Sequence, residues 1–324
     1  MPRPIAFGTG FRQFVRILPP MTPAWDKKKL VVVVGPTAVG KTATAITLAQ
    51  HYQAEIISAD SRQIFRELTI GTAKPDETEM SAAPHHFINS HSIHEEYDAA
   101  QYGRDALELI HNLFQTHDTL ILCGGSGLYV KAVLEGFDDI PDVPEEIREN
   151  LVHEYEQHGL SWLQERMQTL DPEHYEVIDQ QNPHRLMRAL EVRIGTGQSI
   201  ASFRGQNTVQ HPFQVVRIGL ELPREILYTR IDQRMDAMIA HGLFEEAEAL
   251  YPYRQHQALQ TVGYQEIFAY KEGQYDRDEA IRLLKRNSRR YAKRQLTWFR
   301  RDAAMRWFAP NDIAGMLTYI DGQP

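Results

Sequence analysis

The sequence is short of cysteine, of long apolar runs and of repeats, and each shortage removes a class of protein. Cys123 is the single cysteine among 324 residues, so no intramolecular disulfide can form and a cysteine-built zinc module is excluded. One unpaired thiol fits a reducing compartment, and a cytoplasmic protein is expected. No apolar run approaches the roughly 18 residues that span a bilayer; residues 30–34, Leu-Val-Val-Val-Val, form the longest near the start. No membrane partner is expected. There are no internal repeats or low-complexity tracts. The 14 His residues form no clustered metal pattern; the adjacent pair His85 and His86 would point to opposite faces of a strand and reads as structural.

The remainder is ordinary for a folded chain. Hydrophobic residues make up 42% and charged residues 24%, which excludes collagen-like and wholly disordered proteins. At about 150 residues per domain, the length suggests one large or two modest domains. Residues 1–25 hold three Arg and no acid. Arg12 and Arg16 interrupt any apolar core of a secretory signal, and residues 1–26 are read as a disordered N-terminal extension. The net charge is −8. Residues 281–306 nevertheless carry ten Lys/Arg and one acid, Asp302, a local +9 that leaves −17 on the rest. Such a stretch is either a solvated helical face or the footprint of a polyanion site.

The strongest motif begins directly after the first apolar run. Residues 30–34 read as a buried strand, residues 35–42 are GPTAVGKT, and a helical pattern follows. This is the G-x-x-x-x-G-K-[ST] phosphate loop in its required strand–loop–helix setting. Across Gly35, Pro36, Thr37, Ala38, Val39 and Gly40, the two terminal glycines let the backbone curl so that the N–H groups present, all but that of Pro36, which has none, point at phosphate oxygens. Lys41 supplies a cation at a helix N-terminus, and the Thr42 hydroxyl is placed for Mg²⁺, the expected cofactor. An ATP-hydrolysing motor also needs a carboxylate at the end of a later strand. The candidate strand, residues 119–122, runs instead into Cys123-Gly124-Gly125-Ser126-Gly127. A second strand at 55–58 leads to Asp60. In an open parallel sheet, ligands lie at the carboxyl ends of the strands, so Asp60 should share a crevice with the phosphate loop. There it could cap the next turn, hold Mg²⁺ through water or accept a proton.

Seven blocks, in order and spacing, carry a resemblance: residues 35–42, 57–75, 123–136, 182–192, 233–250, 260–267 and 291–301. Together they resemble the tRNA dimethylallyltransferases over roughly residues 30–308. The resemblance implies transfer of a dimethylallyl group from dimethylallyl diphosphate to the exocyclic N6 amine of the adenosine 3′ of the anticodon. Diphosphate leaves, which explains a phosphate loop without an ATPase carboxylate. It also implies catalytic roles for Asp60, Thr37 and Arg234, with Asp60 as general base and Arg234 as a second cation on diphosphate. Asp60, Ser61, Arg62, Gln63, Ser126, Arg148, Gly263, Tyr264 and Gln265 are implied as tRNA contacts. Asp60 apart, these residues read alone as ordinary loop or helix-surface positions.

The expected fold is α/β: a P-loop NTPase-like parallel sheet flanked by helices, with an inserted all-helical subdomain. The core spans 27–140 and 206–324, and the insertion spans 141–205. Helices are expected at 145–158, 161–170 and 183–196, with a strand returning at 215–220. In the family the insertion grips the anticodon stem-loop. His184, Arg185, Leu186, Met187 and Arg188 are candidate tRNA contacts near its end. The basic segment reads as a helix in which Arg289, Lys293 and Arg294 are candidate phosphate contacts. Its Trp298 could face RNA or anchor the helix. The expected partners are tRNA and dimethylallyl diphosphate, and the expected state is a monomer. A metabolite kinase and a non-catalytic RNA-binding protein are the competing readings; a metabolite kinase has no use for the +9 segment.

Overall fold

The computed structural model describes residues 25, 27–138, 140–205 and 209–323. The extension read over 1–26 lies outside these residues except for Trp25. The elements run β1 (Lys29–Val34), α1 (Lys41–Tyr52), β2 (Ile56–Ser58), α2 (Glu77–Ala82), β3 (His85–His86), α3 (Ala99–Leu113), β4 (Thr119–Gly124) and α4 (Gly127–Leu134). Helices α5 (Glu145–Leu170), α6 (Pro172–Tyr175) and α7 (Pro183–Thr196) follow, then β5 (Gln214–Leu220), α8 (Arg224–Ala240) and α9 (Leu243–Leu250). The chain continues through α10 (Gln265–Lys271), α11 (Arg277–Phe299), β6 (Arg306–Phe308) and α12 (Ile313–Asp321).

The six strands form one sheet in the order β3-β2-β4-β1-β5-β6, and every pairing is parallel. β1 lies second to none in burial: Leu30 to Val34 have no solvent exposure. That is why its sequence is uniformly aliphatic rather than alternating. Alternate residues nevertheless serve opposite faces. Leu30, Val32 and Val34 join the core beneath α3, α4 and α11, whereas Val31 and Val33 join the core beneath α1, α8 and α12.

A third core is separate. Leu151, Leu163, Met167, Leu186 and Leu190 pack α5 against α7, so the helical insertion holds itself together between α4 and β5. The break expected between two helices falls inside α5, where Gly159 takes φ 73°. Only glycine adopts that conformation without strain. The basic segment is not helical throughout, as it was read. Helix α11 stops at Phe299, and Arg306–Phe308 returns as the edge strand β6 beside β5. Three residues are too few to show a strand period.

Candidate active site

The phosphate loop joins the carboxyl end of β1 to α1. Gly40 precedes the helix at φ 113°, a left-handed geometry that aims the following N–H groups into the loop. Lys41 Nζ donates to the Gly35 and Pro36 carbonyls at 3.1 and 2.9 Å. Burial pulls its ammonium down to about 8; Cys123 and Asp60 oppose that shift, and Arg234 adds to it. Helix α8 closes the loop from above with residues one turn apart. Arg230 donates to the Val39 carbonyl at 3.4 Å, and Arg234 donates to the Thr37 hydroxyl. Burial also lowers Arg234, with Asp60 opposing. A loop, a half-buried lysine and a half-buried arginine thus aim positive charge at one point.

Asp60 follows β2 and faces this cluster. Its Oδ1 accepts from the Arg62 and Gln63 N–H groups at 2.9 and 3.3 Å, so it does cap the turn. Its Oδ2 has no hydrogen-bond partner among the described residues. Capping by one oxygen therefore leaves the other for chemistry. Cys123 is near both Lys41 and Asp60, but burial pushes its thiol up to about 12, which favours the neutral thiol over the nucleophilic thiolate. Arg62 lies between Asp60, Tyr291 and Tyr129; burial lowers its guanidinium while all three oppose that shift. Burial likewise pushes Tyr291 up to about 12.

Sequence reasoning missed Gln295. It lies inside the basic helix yet is buried. Its Oε1 accepts from the Thr37 N–H at 2.8 Å, and its Nε2 donates to the Gly125 carbonyl at 2.9 Å. The available signal was periodicity: Ser288, Ala292, Gln295 and Phe299 share the buried stripe of α11.

The IPP transferase family model matches residues 63–302. The chain belongs to the IPP transferase family. A tRNA dimethylallyltransferase of Cytophaga hutchinsonii is 51% identical over 91% of this chain and 97% of its own length. One from Christiangramia forsetii is 49% identical over 91% and 98%. The crystal structure of the full-length tRNA isopentenylpyrophosphate transferase of Bacillus halodurans superposes with a TM-score of 0.68 at 39% identity. It covers 91% of this chain and 96% of that one. This IPP transferase therefore has the P-loop NTPase-like fold, with its helical insertion, that its sequence implies.

The structure sorts the remaining candidate residues of the transferase. Ser61 N donates to the Ser126 hydroxyl at 2.9 Å, so this pair ties the Asp60 turn to the end of β4. Gln63 Nε2 donates to the Thr72 and Ala73 carbonyls at 3.2 and 3.0 Å and holds the 70–73 turn. Thr42 is half-buried on the first turn of α1, and its hydroxyl has no hydrogen-bond partner among the described residues. Arg148 and Arg188 both approach Glu191, at 3.6 and 3.1 Å, and Arg185 approaches Asp179 at 3.8 Å. His184 and Arg185 are exposed and Met187 is half-buried.

Two candidates are corrected. Leu186 has no exposure and fills the core of the insertion. Tyr264 is equally buried, with its hydroxyl on Glu246 at 2.6 Å. Neither side chain can reach RNA. The same Glu246 accepts from the Thr69, Ile70 and Gly71 N–H groups, so the block around Tyr264 buttresses the turn after Asp60. Beside Tyr264, Gly263 is also buried and Gln265 is exposed. On α11, Arg289 is paired with Asp232 at 2.5 Å. Lys293 and Arg294 are exposed and have no acidic partner among the described residues, as is Arg290. Trp298 packs against the main core and anchors the helix.

Proposed function

We propose that this IPP transferase moves a dimethylallyl group from dimethylallyl diphosphate to N6 of the adenosine 3′-adjacent to the anticodon in tRNA. The observation that carries this reading is the meeting of Lys41, Thr37 and Arg234 with Asp60 at the carboxyl ends of β1 and β2. In the step, the bond between the allylic carbon and the diphosphate oxygen breaks, and its electron pair leaves with diphosphate. The N6 lone pair forms the new carbon–nitrogen bond, and the displaced N6 proton passes to Asp60. Lys41 and Arg234 stabilise the charge that grows on the leaving group, where preorganised cations contribute most. Thr37, held by Arg234, orients that group. Asp60 accepts from the amine, whose lone pair is otherwise delocalised into the ring.

Mg²⁺ would be held at the Thr42 hydroxyl and would supply Lewis-acid neutralisation of diphosphate. The residues fit it. Thr42 offers an uncommitted hard oxygen on the first turn of α1, directly after the phosphate loop. Such an ion takes most of its ligands from phosphates and water.

The tRNA partner would be met by Arg290, Lys293 and Arg294 on α11, by Ser61 and Arg62, and by Arg148, His184, Arg185 and Arg188 on the insertion. No helix among the described residues is long and apolar enough to cross a membrane. The reading places the enzyme in the cytoplasm as a monomer.

Against a metabolite kinase stand the exposed cations Arg290, Lys293 and Arg294 of α11, for which a small-molecule substrate has no use. A diphosphate-release assay tests the assignment. Release should require both dimethylallyl diphosphate and unmodified tRNA. ATP turnover at about 1 s⁻¹ or faster, as in kinases, would favour the kinase instead.

A further inference from the structure

Among the described residues, Gln295 is the single side chain that bonds both the phosphate loop and the turn after β4. It is 6% exposed, although it sits among the cations of α11. Its two bonds use the two halves of the amide, Oε1 toward Thr37 N and Nε2 toward the Gly125 carbonyl. An amide is the one side-chain group of this length that can accept on one side and donate on the other without charge. Each bonded partner leads to a different side of the reaction. Thr37 carries the hydroxyl that Arg234 grips, on the diphosphate side. Gly125 precedes Ser126, whose hydroxyl holds the Ser61 N–H next to Asp60, on the amine side. The exposed cations Lys293 and Arg294 lie immediately before Gln295 in the same helix.

From this geometry we infer that Gln295 is a positioning residue for prenyl transfer, fixing the separation between the diphosphate cradle and the Asp60 turn. It touches neither reacting atom; it acts through Thr37 and Gly125. The inference rests on the proposed transfer reaction. Its physical basis is that a shift of about 1 Å between reacting groups can cost on the order of 10²-fold in rate. A buried amide that loses both partners also leaves two backbone groups unpaired.

The test is Gln295→Met, which keeps length and flexibility but removes both hydrogen bonds. Single-turnover transfer at saturating tRNA, the KM for dimethylallyl diphosphate, tRNA affinity by filter binding and the thermal midpoint are measured side by side. The expected result is a transfer rate lowered on the order of 10- to 100-fold and a raised donor KM, with tRNA affinity within about twofold of wild type. Gly125→Ala approaches the same bond from the other side. A Cβ there would stand 2.4 Å from Gln295 Nε2, and Gly125 needs no left-handed φ, so the flexible amide must move. It should reproduce the loss even if Gln295→Met folds poorly. Wild-type transfer rates in both variants would overturn the inference. So would a loss that tracks lowered thermal stability and tRNA affinity and vanishes at saturating tRNA. Failure of the wild-type protein to transfer at all would instead refute the function on which the inference rests.

Discussion

Asp60 shows how one residue can satisfy two demands. Its Oδ1 closes the turn through the Arg62 and Gln63 N–H groups, while its Oδ2 is left to meet an amine. Asp60→Asn retains the capping oxygen and removes the proton acceptor. Single-turnover transfer should fall by about 10²–10⁴-fold, the usual contribution of a general base, with tRNA affinity within a few-fold of normal. A near-normal rate would reduce Asp60 to a cap. Lys41→Ala should cost on the order of 10²-fold or more in transfer and leave tRNA binding in the absence of donor unchanged. Lys41 also sets a pH limit. Burial lowers its ammonium to about 8, so the free enzyme loses this cation as pH rises through that value. The kcat/KM for the donor, which reports the free enzyme, should therefore fall above about pH 8. At saturating donor, diphosphate oxygens favour the charged form, and kcat should hold to higher pH. Coincident profiles would argue against Lys41 as the diphosphate cation. The residues legible in advance were those whose motif dictates chemistry, Lys41 and Asp60 among them. Leu186 and Tyr264 were misread because a motif block does not say which side chains point outward. Gln295 was missed because an amide in a basic run looks like surface.

Helix α11 is two-faced. Ser288, Ala292, Gln295 and Phe299 form its buried stripe, while Arg290, Lys293 and Arg294 are exposed. The local +9 overstates the charge available to RNA, because Arg282, Lys285, Arg289 and Arg300 pair with Glu279, Asp236, Asp232 and Glu221. Glu279 is a local partner, three residues from Arg282 on one helix, but the other acids lie on α8 and after β5, where no sequence-local count could foresee the pairing. Replacing Arg290, Lys293 and Arg294 with Gln should weaken tRNA binding and flatten its log–log salt dependence by up to about one unit per lost phosphate contact. Arg289→Gln alone should change that slope far less, since its guanidinium already has Asp232. Equal slopes for the two variants would assign the exposed cations to a solvated face. The end of β4 is equally constrained. A Cβ on Gly124 would stand 2.1 Å from the Ala59 carbonyl oxygen, a backbone atom that cannot swing aside. Gly124→Ala should lower the thermal midpoint by more than the about 1–3 kcal/mol typical of overpacking would produce.

At the scale of the whole molecule, three cores divide the labour. Two lie on opposite faces of one parallel sheet and bring the phosphate loop, the Asp60 turn and the Gly124 turn to its carboxyl edge. The third holds the insertion, where Glu191 gathers Arg148 and Arg188. Alternation of apolar strands with helical stretches made this plan legible, including a break between the helices expected at 145–158 and 161–170, which falls at Gly159 within α5. The three-residue strand β6 was not legible as a strand, since its pairing depends on β5 rather than on any period of its own. In the proposed reaction the diphosphate cradled by the loop is a prenyl leaving group and not part of a nucleotide substrate. The most direct test supplies isotopically labelled dimethylallyl diphosphate and unmodified tRNA, then locates the label by digestion and mass spectrometry. Label is expected on N6 of the adenosine 3′-adjacent to the anticodon, with one diphosphate released per group transferred. Unlabelled tRNA together with rapid Mg²⁺-dependent ATP turnover would contradict it.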